Sequence, residues 1–247
     1  MSAVSERILT HLKAVEAERT ARAADAGLRR KVTALKAYQQ RRFQRSYADL
    51  LCSERYGDAA RFFLDELYGP EDFSTPDAEF ARIVPALARL FPDEIVRTVE
   101  RLAALHALSE RLDSQMARAL SADDVDASSY VLAWRTTGQP EARAEQVRLT
   151  LEVGCALNRF TRNPLLRHSL RAMRGPARAA GMSALQGFLE RGFETFRAMR
   201  GAEGFLAVVV EREEAFGRAL FSADAVAIAT SPSGAARPRN GALGQLP

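Results

Sequence analysis

A chain of 247 residues with 47% apolar content and a formal net charge of +4 holds enough apolar material for a real core, as one large domain or two small ones. Two cysteines far apart, Cys52 and Cys155, with no CxxC spacing, argue against a disulfide framework or a zinc site and suit a reducing compartment. The longest apolar run, 205–210, is far below the ~20 residues that span a bilayer, and the start lacks the apolar core of an export signal, so a cytoplasmic protein is expected.

Ala, Arg, Leu and Glu dominate, and runs of Val, Ile and Thr are rare; this composition favours helix over strand. Ile8, Leu12 and Val15 form a short stripe that fades through an Ala-rich stretch before Gly27, so residues 1–27 read as a loosely held helical extension. Over 28–51 the residues Leu28, Val32, Leu35, Phe43, Tyr47 and Leu50 fall on one arc of a helix, interrupted by Gln39. The next helix carries Phe62 and Phe63 and stops at Gly69-Pro70. Thr75 and Pro76 restart the chain as cap and first helical residue, Pro85 kinks that helix and Pro92 ends it. A long helix over 93–120 turns Ile95, Val99, Leu102, Leu105, Leu108, Leu112 and Met116 inward. Helices over 123–137 (closed by Gly138) and from Pro140 to about 160 follow. Asn163-Pro164 starts another and Gly175-Pro176 stops it; the last two run over 178–200 and 202–221. Beyond Ser222 the Ala, Gly, Pro and Ser content rises without apolar period, which reads as a disordered tail over 222–247. The expectation is an all-α fold: one compact domain of eight or nine helices over 28–221, with no internal repeat.

Phe62, Phe63, Phe73, Phe80 and Phe91 are expected to form a seam between the second and third helices. A second group (Phe188, Phe193, Phe196, Phe205, Phe216, Phe221) does the same near the C-terminus. An enclosed pocket for an apolar, lipid-like ligand is the competing use of so many rings.

The small net charge conceals segregation. Between Asp25 and Asp49 lie seven basic residues and no acid, and between Glu152 and Glu190 six arginines and no acid. From Asp49 through Asp126, 17 acids face 8 bases. On the 28–51 helix, Arg30, Lys31, Arg41, Arg42 and Arg45 project opposite the apolar arc, a candidate docking face for the phosphates of a membrane surface or a nucleic acid. A solvated face, or one that pairs with the chain's own acidic middle, is the alternative. Only Tyr38 interleaves with these cations, where single-stranded nucleic acid favours several aromatics.

His106, Glu110 and Asp113 share one face of the long helix, the raw material of a metal site in a helical bundle, but no Glu-x-x-His supplies further ligands. No Gly-x-Ser-x-Gly, phosphate loop or dinucleotide fingerprint occurs. The close carboxylates Asp65-Glu66 and Glu71-Asp72 suit capping better than acid–base work. No catalytic residue, metal or cofactor is expected.

At Phe62-Phe63-Leu64-Asp65-Glu66-Leu67-Tyr68-Gly69-Pro70, followed by Asp72-Phe73-Ser74 and by Leu105 to Asp113, the chain resembles the bacterial FFLEELY-motif proteins over about residues 38–220. Asp65 stands where that family has Glu, a swap that keeps the charge. The resemblance implies a bacterial cytosolic protein of a family with no assigned activity, and it carries no site residue across. The expectation is therefore a non-enzymatic module that binds an anionic or protein partner; an enzyme or carrier with an apolar pocket, or a structural homo-oligomer subunit, are the alternatives.

Overall fold

Helix boundaries follow local chemistry closely. The computed structural model describes residues 2–66, 80–85, 92–179, 183–230 and 241–247, and among these there are twelve bounded α-helices, a helical piece over 80–85 and no strand. They are α1 (Ala3–Ala24), α2 (Ala26–Ser46), α3 (Ala48–Leu51), α4 (Gly57–Glu66), α5 (Asp93–Ala119) and α6 (Ala127–Thr137). Then follow α7 (Pro140–Phe160), α8 (Pro164–Ala172), α9 (Arg174–Ala179), α10 (Ser183–Ala198), α11 (Glu203–Phe221) and α12 (Ala225–Thr230), with a 3-10 turn at Ala242–Gln245. Asp25 caps α2 by accepting from the Leu28 N–H at 3.0 Å. Asp126 and Ser129 close a reciprocal capping box on α6. Gly138 and Gln139, both at positive φ, turn the chain before Pro140 opens α7. Gly175-Pro176 does not end the Arg-rich stretch. Helix α8 stops at Met173 just before it, and the pair occupies the first turn of α9, where a proline lacks no needed donor.

Helix α5 lies at the centre, with α1, α2, α6 and α7 packed around it. Helix α1 runs beside α5 in the same direction, so that Arg7 meets Glu100, Arg19 meets His106 and Arg22 meets Ser114. At its leading end Ile8, Leu12, Val84, Val96 and Ala103 make a small core. The N-terminal stretch expected to be loosely held is thus a 22-residue helix with Ile8 and Val15 buried. A second core gathers Leu28, Leu35, Tyr38, Met116, Tyr130, Trp134, Phe216 and Leu220 from α2, α5, α6 and α11. A third gathers Phe43, Tyr47, Leu64, Phe196, Met199 and Phe205 from α2, α4, α10 and α11.

The two expected phenylalanine groups meet each other. Phe62 lies 5.7 Å from Phe188, and Phe63 lies 6.0 Å from Phe196 and 5.5 Å from Phe205. Phe73 and Phe91, the Gly69-Pro70 stop and the Thr75-Pro76 restart lie outside the described residues, as does the chain just beyond Pro85. Helices α7 and α11 approach closely at Gly154, where a Cβ would sit 2.5 Å from Cδ2 of the buried Leu206.

The expected disordered tail differs from what is described. Helix α12 packs on α6, and Leu243 and Leu246 are buried in the core around Tyr38 and Tyr130. Two leucines three positions apart need only one short turn to reach the core, which no periodicity test detects. Residues 231–240 lie outside the described residues.

Candidate functional site: an exposed arginine-rich helical pair

The polar residues of the described chain divide into a buried set and an exposed one. In the buried set, Arg22 donates from Nε to Ser114 at 2.9 Å and from Nη2 to the Glu110 carbonyl at 2.6 Å, and its Nη1 pairs with Glu110 Oε2. Lys36 reaches Glu110 Oε1 at 2.8 Å, and Gln39 donates to Asp113 at 3.1 Å. Burial works to raise the Glu110 carboxyl, but Lys36 and Arg22 outweigh it and hold Glu110 down at about 2. Asp113 moves the other way: burial and the Glu110 charge raise it, against the pull of Lys36. Sequence reasoning placed His106, Glu110 and Asp113 correctly on one face but missed what that face meets. Both Glu110 oxygens face cations, and His106 lies 3.4 Å from the Arg19 guanidinium. Among the described residues no three His, Cys, Asp or Glu side chains converge as a metal site would need.

The raised Asp113 has a consequence for stability. An acid whose folded pKa lies above its unfolded value costs stability while ionised, and that cost disappears as the pH falls through the raised pKa. Asp113→Asn keeps an acceptor for Gln39. It should leave the protein as stable at pH 7 or stabilise it by up to ~1 kcal/mol, with the difference closing as wild type is acidified. A urea titration at several pH values reads this out; a clear loss of stability at pH 7 would contradict it.

The α2 cations expected to form a docking face have partners within the chain. Arg30 pairs with Asp123 at 2.7 Å, and Lys31 donates to the Leu120 carbonyl at 2.6 Å. Arg42 is buried, pairs with Glu213 at 2.5 and 3.1 Å, and stacks 4.7 Å above the Phe216 ring. Arg45 donates to the Leu246 carbonyl at 2.7 Å. Arg41, over the Tyr38 ring at 5.5 Å, stays exposed. Of these five on one helix, Arg30, Arg41 and Arg45 are exposed, Lys31 is half-buried and Arg42 is buried.

The second arginine run is built differently. Asn163 accepts from the Leu165 N–H at 3.0 Å and Pro164 begins α8. Leu170 faces α10, where the buried Gln186 donates to its carbonyl at 2.6 Å. From 164 to 179 the only buried residue is Ala177. Arg167 and Arg171 share Glu194 at 2.9 and 3.2 Å, and Arg174 grips Glu190 at 2.6 and 2.5 Å. The Arg174 contact lowers Glu190. For Glu194, burial pushes the carboxyl up, and Arg197 and Arg167 outweigh it. These exposed ion pairs each contribute little. Residues 159–200 hold nine arginines and two glutamates, a net +7.

The apolar surface clusters here as well. Four large apolar side chains are exposed among the described residues: Leu132, Leu165, Met173 and Leu189. Three of them sit on α8, at the α8–α9 junction and on α10, and Leu165 is 73% exposed. The groove between α8–α9 and α10 is small, about 130 Å³, and four of its lining residues are Arg167, Arg171, Glu190 and Glu194. A second groove of about 190 Å³ between α1, α5 and α7 is also largely charged. Neither matches the ~300–1,000 Å³, mostly apolar cavities that hold small ligands.

A family model described as a domain of unknown function, DUF8198, matches residues 18–227. The chain belongs to the DUF8198 family. The match contains both arginine runs and the whole of α5, and it extends beyond the 38–220 span of the FFLEELY-motif resemblance at both ends. The first turns of α1 and the 241–247 segment fall outside the DUF8198 region. Comparisons with curated proteins and with solved structures each gave no match.

Proposed function

We propose that this DUF8198 protein is a non-enzymatic helical module that docks on an anionic bilayer surface through α8, α9 and the adjoining part of α10. The observation that carries the reading is the coincidence of a +7 stretch with three of the four large apolar side chains that are exposed among the described residues. Arginines draw the protein to anionic headgroups, at about 1 kcal/mol for each cation near the surface. Leu165 and Met173 add apolar area that can enter the headgroup region. Among the described residues no helix is long and apolar enough to cross a membrane, so attachment is peripheral. A nucleic-acid partner would use the same charge but gains nothing from Leu165 and Met173, and among the described residues no exposed aromatic accompanies them as a stacking platform. The likeness to the bacterial FFLEELY-motif proteins and a cytoplasmic location, the inner face of a membrane included, belong to the same reading.

Vesicle co-sedimentation tests it. The full chain should pellet with phosphatidylglycerol-containing vesicles at low salt and be released as ionic strength rises, and it should ignore purely zwitterionic vesicles. Arg162→Glu combined with Arg178→Glu, both exposed, should lower the partition constant at least tenfold, whereas Arg30→Glu should change it little. Binding to duplex or single-stranded oligonucleotides with no vesicle uptake would replace the bilayer with nucleic acid. Loss of neither charge-dependent activity in the variant would remove the site.

A further inference from the structure

Three arginines converge on one carboxylate beside the groove between α8–α9 and α10. Arg167 donates from Nε to Glu194 Oε1 at 2.9 Å, Arg171 from Nη2 to the same oxygen at 3.2 Å, and Arg197 from Nε to Oε2 at 2.7 Å. Next to them Arg174 holds both oxygens of Glu190, which also accepts from Gln186 at 2.9 Å. Four arginines therefore stand against two glutamates, an excess of +2. Guanidiniums this close repel one another, and one shared carboxylate offsets only part of that. A guanidinium has five N–H donors, and among the described residues the other N–H groups of Arg167 and Arg171 meet no acceptor. Both residues, with Arg174, line the groove of about 130 Å³, whose apolar wall is Leu170 and Phe193.

We infer that this groove seats the phosphomonoester headgroup of a bilayer lipid, so that the docking face prefers phosphatidate to lipids whose phosphate is a diester. The inference rests on the bilayer reading above and names the headgroup that the face selects. A phosphomonoester near neutral pH has up to two negative charges and three terminal oxygens. It matches the +2 excess and offers separate oxygens to two guanidinium forks. A phosphodiester has one charge and two such oxygens, and leaves half of the excess uncompensated. The groove is too small and too charged for a whole amphiphile, but only the phosphate enters it; the acyl chains stay in the bilayer that the exposed Leu165 and Met173 meet. Glu190 and Glu194 keep the guanidiniums oriented and stay where they are, so no part of the chain has to open.

Full-length protein and two vesicle series test it, phosphatidylcholine mixed with either phosphatidate or phosphatidylglycerol to equal surface charge. Wild type should favour the phosphatidate vesicles by roughly fivefold or more. Arg167→Lys/Arg171→Lys keeps the charge and removes both forks, and should bring the ratio of the two partition constants to about one. Arg30→Lys should leave the ratio as in wild type. Equal uptake of the two lipids by wild type, or a preference that the double Lys variant retains, overturns the headgroup seat and leaves the bilayer reading standing. Uptake of neither vesicle ends the bilayer reading, and titration calorimetry with glycerol 3-phosphate then decides the groove. Binding by wild type that the double Lys variant weakens severalfold assigns the groove to a free phosphomonoester instead of a lipid; no binding overturns it altogether.

Discussion

Glu110→Ala is expected to destabilise the protein by ~3–5 kcal/mol, because it strips the counter-charge from two cations buried with it. Arg22 and Glu110 are both buried, and Lys36 is largely so; all three donor contacts of Arg22 end on Glu110 or Ser114. At ~2–4 °C per kcal/mol for a chain of this size, the melting temperature should drop by ~6–20 °C. The pH dependence gives an independent reading. The Glu110 carboxyl is depressed from 4.5 to about 2 in the folded protein, so its contribution is complete above the unfolded value and is lost as the pH falls from about 4.5 through about 2. The variant should lack that part of the acid slope. Glu110→Gln keeps an acceptor and should fall between. Replacing Arg22 and Glu110 together by Met and Leu should recover most of the loss, since a packed apolar pair needs no desolvation. A Glu110→Ala loss below ~1 kcal/mol, within the range of a surface pair, would show that the pair is not closed off from water.

Arg42→Ala separates the two roles open to that residue. As a member of a docking face it would lose anion binding and keep stability. As the structure has it, Arg42 joins α2 to α11 through both oxygens of Glu213, which also accepts from the Tyr47 hydroxyl at 2.6 Å. Its loss leaves Glu213 facing Tyr47 alone and removes the guanidinium over Phe216, so a cost of about 3 kcal/mol in urea denaturation is expected. Arg42→Lys keeps charge but not the two-pronged contact and should recover only part. In the Arg42→Ala/Glu213→Ala cycle the double variant should lose less than the sum of the singles. Arg41→Glu, one residue away and exposed, should stay within ~0.5 kcal/mol of wild type.

Much of the helical architecture was legible in local chemistry: Asn163-Pro164 as a start, Gly138 before Pro140, the apolar arc of α2. Gln39 interrupts that arc because it reaches Asp113. Part of what was hidden has one cause, namely polar side chains placed at core positions. On α1 the stripe Ile8, Leu12, Val15 continues at the same four-three spacing through Arg19 and Arg22, so the hold on α5 changes from apolar to ionic without losing register. Reading only apolar residues, the stripe fades; reading spacing, it does not. Across from it, His106, Glu110 and Asp113 repeat the spacing, and their meaning as an ion-pair seam requires knowing which helix lies opposite.

The two arginine runs posed the same difficulty. Both are acid-free in sequence, and only the folded chain shows that α2 points its cations at Asp123, the Leu120 carbonyl, Glu213 and the Leu246 carbonyl. In the second run Arg167 and Arg171 share Glu194 and Arg174 takes Glu190, while Arg159 and Arg162 reach Glu94 and Glu203 from beside exposed Leu165. The C-terminal leucines carried no periodic signal at all; they are buried on the surface between α2, α11 and α12, where Arg45 donates to the Leu246 carbonyl.

Leu165→Trp offers the most direct measurement of whether that face meets a bilayer. The chain has one tryptophan, Trp134, which is buried, so wild type is its own background. With anionic vesicles carrying brominated acyl chains, emission from the Leu165→Trp protein should be quenched and blue-shifted at low salt. Wild type should show neither effect, and zwitterionic vesicles should produce neither. If the introduced indole keeps the emission of a water-exposed ring while the protein pellets with the same vesicles, the contact lies elsewhere and the account is contradicted.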